Sequence, residues 1–437
     1  MLATATRLSY RAGALRINAA RLMDTLHNTC QWGATAQHGP ALTDTGMCRL
    51  ALSDEDKVVR DWFGAELQAT GCEVSVDQMG NMFGIRSGNH TGAPTVAGSH
   101  LDTQPTGGRY DGILGVMAAL EALRTLRDAG HRTEYPVGAV NWTNEEGARF
   151  PRSLHGSSVW AGDLSLQDAL ALEDVKYPGL TAGHELERIG YRGSLPADVA
   201  RNPLAAHFEL HIEQGPILED AGAQIGVVLG GQAYRWFDVH ISGRESHAGS
   251  TPLDVRADPL LCAARLMELA NTVARDSSGV ATTGILSLVP GSINTIPGSV
   301  DLTLDIRHIS DEKLDEMEAR ILDEAKGITE RLGTNGCIIE WRKTFQKAPV
   351  MFHDDCVGAI TEAAERHLGE GGAQTIYSGA GHDSCSTARH CPTGMIFIPC
   401  KDGISHNPVE YSTPEDCAMG AQVLLDAMLL YDSKRVA

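Results

Sequence analysis

The sequence predicts an α/β fold: a large domain with a mostly parallel sheet, interrupted by a smaller split-βαβ, ferredoxin-like domain. Three observations predict it. Apolar stretches that end in polar clusters recur at 94–98, 137–142, 207–212, 235–241, 300–306, 337–341 and 394–399, the pattern of strands. Helical periodicity fills the intervals between several of them. From about Arg235 the order becomes β-α-β-β-α-β, which belongs to two helices packed on an antiparallel sheet.

Taken in order, a first helix begins around Arg16–Leu22. Strand 94–98 leads through a glycine-rich loop to the clearest helix, 112–129, where Ile113, Val116, Met117, Leu120, Leu123 and Leu126 form one face and Gly130 supplies the stop. Strands 137–142 and 207–212 follow. The insert reads as strand 235–241, helix 257–275, strand 282–289, the alternating strand Val300, Leu302, Leu304, Ile306, the charged helix 311–332 and strand 337–342. After Pro349 the α/β texture resumes, with strand 394–399 and an amphipathic helix over 414–431. The expected division is therefore 16–232 and 349–437 for the large domain and 233–348 for the insert. In such folds functional residues lie in loops beyond the carboxyl ends of the strands.

Composition narrows the function classes. Lys and Arg number 36 against 56 Asp and Glu, a net charge of −20 that repels phosphate backbones, so nucleic acid is excluded as a partner. The longest apolar runs, 283–290 and 394–399, are far shorter than the roughly 20 residues that cross a bilayer, so no membrane span is expected. Ten cysteines without a C-x-x-C pair indicate neither a zinc ribbon nor a disulfide framework, and a reducing compartment. The cytoplasm is the expected location. Arg7, Arg11, Arg16 and Arg21, with no acid before Asp24, have the composition of a mitochondrial presequence and make the mitochondrion the alternative.

The chemistry-bearing residues cluster at predicted strand ends. V-A-G-S-H-L-D-T presents His100 beyond a strand, with Asp102 placed to accept its second ring N–H. By itself this is as compatible with a structural, hydrogen-bonded histidine. Asp111 in G-G-R-Y-D-G precedes the long helix, where it is either a helix cap or a projecting carboxylate. The strand V-G-A-V-N-W-T runs into Glu145 and Glu146, adjacent carboxylates that repel unless a cation or proton compensates. H-F-E-L-H-I-E-Q-G places His207, Glu209, His211 and Glu213 on one face in strict alternation. His406 in G-I-S-H-N-P follows a further strand. His100, Asp111, Glu146, His211 and His406 make three imidazoles and two carboxylates, a set suited to Zn, with Mn, Co or Ni as alternatives. Two divalent metal ions sharing one carboxylate would use all five.

The blocks G-S-H-L-D-T-Q-P-T-G-G-R-Y-D-G, N-E-E-G-A-R-F, H-I-E-Q-G, S-H-A-G-S-T-P, N-T-I-P-G and G-I-S-H-N-P resemble the amidase, hydantoinase and carbamoylase branch of the dizinc M20 peptidase family. Within it the similarity is to β-ureidopropionases and N-carbamoyl-L-amino-acid hydrolases, from about Arg16 onward. The resemblance implies that His100 and His211 hold one metal, Glu146 and His406 the other, and Asp111 both. It makes Glu145 the general base, His247 an oxyanion donor supplied to the partner subunit, and His382 a further substrate-binding or oxyanion-polarising residue. Arg307 is implied to grip the substrate carboxylate, with Asn294 and Gln214 as further substrate contacts. It also makes the insert a dimerisation and lid domain of a homodimer.

The implied reaction is metal-dependent hydrolysis of the ureido C–N bond of an N-carbamoyl amino acid, N-carbamoyl-β-alanine or an N-carbamoyl-L-α-amino acid, to amino acid, ammonia and carbon dioxide. Allantoate amidohydrolase or ureidoglycolate-type hydrolysis is the nearest rival, and a dipeptidase or aminoacylase is third. A catalytically dead ureide-binding or scaffold protein is the alternative of another class. Against Arg307 as a substrate clamp stands simple pairing with Asp305 or Asp311, and against His247 and Asn294 stand loop and turn roles.

Overall fold

The computed structural model describes residues 15–435. The chain divides into two compact units, one formed by the chain up to Gly230 together with the chain from Met351 onward, the other by Gly231–Val350.

The larger unit is built on a mixed sheet. Its centre is parallel: Thr393–Ile398, Ala206–Ile212, Thr95–His100 and Val137–Trp142 lie side by side in that order. All four are buried along their whole length, including the alternating His207, Glu209 and His211 of Ala206–Ile212. Antiparallel neighbours flank this centre, Gly226–Gly231 beside Thr393–Ile398, and Met82–Arg86 then Glu73–Val76 beyond Val137–Trp142. These flanking strands escaped the periodicity reading because they are short and Glu73–Val76 is partly exposed. The helix Ile113–Asp128 packs on the parallel centre and is buried from Ile113 to Leu126, polar members included. Pro414–Lys434 covers it, opened by Thr413 as N-cap and a proline in the first turn.

The first helix is Ala19–Thr29, capped by the Asn18 side chain. Arg21 on it pairs with the buried Glu121 and with Asp128, so this arginine serves the fold. Arg7 and Arg11 lie outside the described residues. Among the described residues no helix is long and apolar enough to cross a membrane, and the ten cysteines form no disulfide.

The smaller unit is an antiparallel sheet with Ala233–Ser242 between Ser299–His308 and Ile338–Lys347. Phe237, Val239 and Ile241 share a core with Val300, Leu302, Leu304, Ile306 and the buried faces of helices Pro259–Ser277 and Asp311–Ile328. The expected strand 282–289 is two short strands, Val280–Thr282 and Leu286–Val289, both paired with Ser299–His308. The break falls at Thr283–Gly284–Ile285, where glycine lowers strand preference and Ile285 is exposed. The β-α-β-β-α-β order is retained. The charged helix ends at Ile328 rather than near 332, with Thr329 as C-cap.

Candidate active site

The carboxyl ends of the parallel strands bring His100, Asp111, Glu145, Glu146, His211 and His406 together. Asp111 is the hub. Its Oδ1 lies 3.0 Å from His211 Nε2 and 3.5 Å from His100 Nε2, and its Oδ2 lies 3.2 Å from His406 Nε2. Glu146 Oε2 is 3.3 Å from His406 Nε2, and Glu145 Oε2 is 3.6 Å from His100 Nε2. Two groups of ligand atoms result, His100, Asp111 and His211 in one and Asp111, Glu146 and His406 in the other, each within 4.8 Å. One carboxylate therefore faces both groups, one oxygen to each.

The local backbone explains this convergence. Gly112 has φ 67°, and a Cβ there would lie 2.3 Å from His100 Cε1, so only glycine lets the Asp111 loop turn over the His100 ring. Asn144, Gln214 and His406 also take positive φ, at 53°, 59° and 53°. Such conformations cost free energy and cluster where the surrounding structure fixes a functional geometry.

Ring tautomers follow from the hydrogen bonds. His100 Nδ1 is 2.9 Å from the Asp102 carbonyl oxygen and His211 Nδ1 is 2.8 Å from that of Ile212, and carbonyls only accept. Both rings thus carry the proton on Nδ1 and turn an Nε2 lone pair toward Asp111. A lone pair and a carboxylate oxygen repel at this distance unless a proton or cation lies between them. The expectation for Asp102 is corrected here: its main-chain carbonyl, not its carboxylate, orients His100. The carboxylate accepts the backbone N–H groups of Glu145 and Glu146, at 3.2 and 3.3 Å, because the turn after His100 aims it at the end of the neighbouring strand.

Burial shifts the two adjacent glutamates upward, whereas at Asp111 the push of burial is outweighed by hydrogen bonds from His100, His211 and His406, which hold it well below the usual carboxylate range. Glu145 is pushed well above the usual range by burial, with repulsion from Asp383, Glu146 and Asp111 acting against the pull of His100. Glu146 rises to about 7, first through burial and then through Asp111. His406 rises to about 9, led by its hydrogen bond to Asp111 and aided by Glu146.

His382 packs against His211 with ring centroids 4.6 Å apart and places Nε2 3.0 Å from Ser378 Oγ. Burial, then His211, lowers it to about 3, so it is neutral at neutral pH. Gln214 Nε2 donates to Asp111 Oδ2 at 2.8 Å, while its Oε1 is buried without a hydrogen-bond partner. Glu209, His211 and His382 also offer three close ligand atoms. Glu209, however, is occupied by hydroxyl and amide donors, Ser99 Oγ at 2.6 Å and Ser384 Oγ and N at 2.6 and 3.1 Å. That makes it a brace behind the site. Two further residues escaped the sequence reading: Gln104, whose N and Nε2 hold Glu146, and Glu410, which accepts from the backbone of Tyr110 and Asp111. Neither stands in a ligand-like spacing, and Glu410 meets its partners 300 residues away.

The smaller unit carries the remaining candidates. His247 Nδ1 accepts the backbone N–H of Gly249 and Ser250, at 3.1 and 3.2 Å, which leaves the proton on an exposed Nε2 as a donor. His247 pairs with Thr295 in a short ribbon, and Ala248 N donates to the Asn294 carbonyl at 2.9 Å, so His247 and Asn294 are neighbours. Arg307 pairs with Asp305 at 2.6 Å and lies over the Tyr234 ring at 5.1 Å. It is not beside them. Arg307 is opposite Tyr234 at one end of the sheet, whereas the ribbon continues from the Ser299 and Ser242 end.

Known proteins place this arrangement in a family. The family model described as Peptidase family M20/M25/M40 matches residues 96–430. An N-carbamoyl-L-amino-acid amidohydrolase of Rhizobium meliloti is 44% identical over 417 residues, 95% of this chain and 96% of that protein. A ureidoglycolate hydrolase of Oryza sativa subsp. japonica is 35% identical over 389 residues, 87% of this chain and 79% of that protein. The crystal structure of an amidase of the hydantoinase/carbamoylase family from Burkholderia multivorans aligns with a TM-score of 0.89 at 45% identity, covering 96% of this chain and 99% of that one. A match of this extent, on a chain whose strand ends converge on one shared carboxylate, makes the protein a member of peptidase family M20/M25/M40.

Proposed function

We propose that the protein hydrolyses the ureido C–N bond of N-carbamoyl-L-α-amino acids, releasing the amino acid, ammonia and carbon dioxide. The observation that carries this reading is Asp111, which offers one oxygen to His100 and His211 and the other to His406. The name of the 44% identical relative supports the substrate class. The donor set fits two divalent ions: three imidazoles and two carboxylates converge, and two of the imidazoles are locked with Nε2 facing inward. His100 and His211 would hold one ion, Glu146 and His406 the other, with Asp111 shared; zinc suits the set, and manganese, cobalt or nickel could replace it. When bound, such ions lower the pKa of a water and polarise a carbonyl.

The chain's own residues supply the rest. Glu145, buried beside His100 and raised in pKa, takes the proton of the attacking water and returns it to the departing nitrogen. His247, with its proton on Nε2, donates to the developing oxyanion. Arg307 binds the substrate carboxylate, the guanidinium exchanging Asp305 for it, and Asn294, which neighbours His247, reaches the same end of the substrate from the chain that supplies His247. Neutral His382 and the unpartnered Gln214 Oε1 meet the carbamoyl group by hydrogen bonds.

Distance within the smaller unit supports a site shared between subunits of a homodimer. Arg307 and Ser299 are eight residues apart on one strand, about 26 Å at ~3.3 Å per residue, and His247 lies beyond the Ser299 end. An N-carbamoyl amino acid is about two residues long, ~7 Å. This separation of Arg307 and His247 along one chain supports the reading that a partner supplies one of them. A steady-state panel of N-carbamoyl-L- and D-α-amino acids, N-carbamoyl-β-alanine, ureidoglycolate and allantoate on zinc-reconstituted protein tests the assignment. The expected result is the highest kcat/KM for an N-carbamoyl-L-α-amino acid. Ureidoglycolate as the best substrate would favour the second reading, which the 35% identical relative supports. No ammonia from any of them would leave a non-catalytic binding protein.

A further inference from the structure

We propose that Glu410 is a positioning residue that ties the Asp111 loop to the His406 loop and so sets the geometry of the His406 half of the site; the inference rests on the two-ion reading above. Glu410 is buried, and its Oε1 accepts the backbone N–H of Tyr110 at 2.9 Å and of Asp111 at 3.0 Å. Its Oε2 accepts Ser405 Oγ at 2.8 Å. Ser405 Oγ lies in turn 3.2 Å from Asp111 Oδ2 and 3.2 Å from Gln214 Nε2. One carboxylate thus reaches the main chain of the shared ligand and the residue before His406. Gly108 closes over it: a Cβ there would lie 2.2 Å from Glu410 Oε1.

The two halves of the site differ in how their histidines are held. His100 and His211 are buried and each is fixed through Nδ1 by a carbonyl. His406 is half-exposed, its Nδ1 makes no hydrogen bond among the described residues, and its backbone is at φ 53°. Its placement depends on the loop that carries it. That loop is anchored by Glu410 through Ser405, and the Glu410 N–H closes it by donating to the Asn407 carbonyl at 3.0 Å. Loss of the Glu410 side chain frees the His406 loop and leaves two amide donors of the Asp111 loop without an acceptor. Partners that orient ligands in this way typically change metal affinity or activity 10–100-fold.

Glu410→Gln keeps the role. The amide oxygen takes both N–H groups, and the amide nitrogen donates to Ser405 Oγ, whose own proton then goes to Asp111 Oδ2. The test compares parent, Glu410→Ala, Glu410→Gln and Ser405→Ala after zinc reconstitution, reading ions per chain, kcat and KM. Expected are two ions per chain in parent and Gln variant, with kcat within about fivefold. In the Ala variant ion content falls toward one, and kcat drops roughly 10–100-fold with a smaller change in KM. An Ala variant with two ions and near-parental kcat overturns the proposal, as does a Gln variant no better than Ala. Should the Ala variant not fold, Ser405→Ala decides: reduced ion content supports the link, and parental ion content with parental kcat overturns it. A parent that takes up two ions but turns over no ureido acid refutes the proposed reaction and leaves the positioning role to be judged on ion content.

Discussion

At Glu145 and Glu146 two adjacent carboxyl groups with different proposed jobs share the same buried surroundings. Burial raises the pKa of Glu145, which suits the proposed role of a base that accepts and then returns a proton. Glu145→Gln retains shape and hydrogen bonding but cannot accept the proton, so we expect kcat to fall by about 10²–10⁴ with ion content unchanged. Parental turnover by this variant would remove the base assignment. As the proposed metal ligands, Glu146 and His406 would have to shed protons. Glu146 at about 7 and His406 at about 9 hold protons more tightly than isolated side chains do, and a metal ion competes with those protons. Lowering the pH from 8 to 6 should therefore weaken ion retention, as measured by metal content after dialysis at each pH; stronger retention at pH 6 would contradict the ligand roles. Gly112→Ala places a methyl group against the His100 ring and forces a non-glycine residue to φ 67°, so loss of ion content together with a lowered Tm is expected.

Among the elements, the central strands were legible and the contacts that brace their ends were not. His100, His211 and Glu145 stand out in sequence because polar groups at the ends of buried strands require a partner. The role of Asp102 was misplaced because a carbonyl and a carboxylate two residues from a histidine cannot be told apart by spacing. Glu410, Gln104 and Glu209 act through contacts between distant segments, which local periodicity does not encode. In the smaller unit the alternation of Val300, Leu302, Leu304 and Ile306 marked the core face, while the break at Gly284 was hidden because both fragments are apolar. The ribbon that carries His247 belongs to this scale. His247→Ala should leave two ions bound and cost about 10²–10³ in kcat, the usual contribution of an oxyanion donor. An equal loss of ions would make the residue structural instead.

In the shared-site reading the whole molecule is at least a pair, with Arg307 and His247 of different chains serving one substrate. Complementation tests this directly. Mixing Glu145→Gln with His247→Ala subunits under reassociating conditions should restore activity, to about a quarter of the parent for random pairing, because one site in each hybrid dimer is intact. No recovery would place the Glu145 and His247 of one site in the same chain. The charge of −20 is no obstacle to an anionic substrate under the two-ion proposal, since two divalent ions would more than balance Asp111, Glu145 and Glu146 and make the pocket cationic inside an acidic protein. The most direct measurement of that pocket is a titration: ammonia released from an N-carbamoyl-L-α-amino acid by chelator-treated protein as zinc is returned. Activity absent after chelation and fully restored at two equivalents per chain is the predicted result; chelator-insensitive hydrolysis, or a plateau at one equivalent, would contradict a reaction centred on Asp111 shared between two ions.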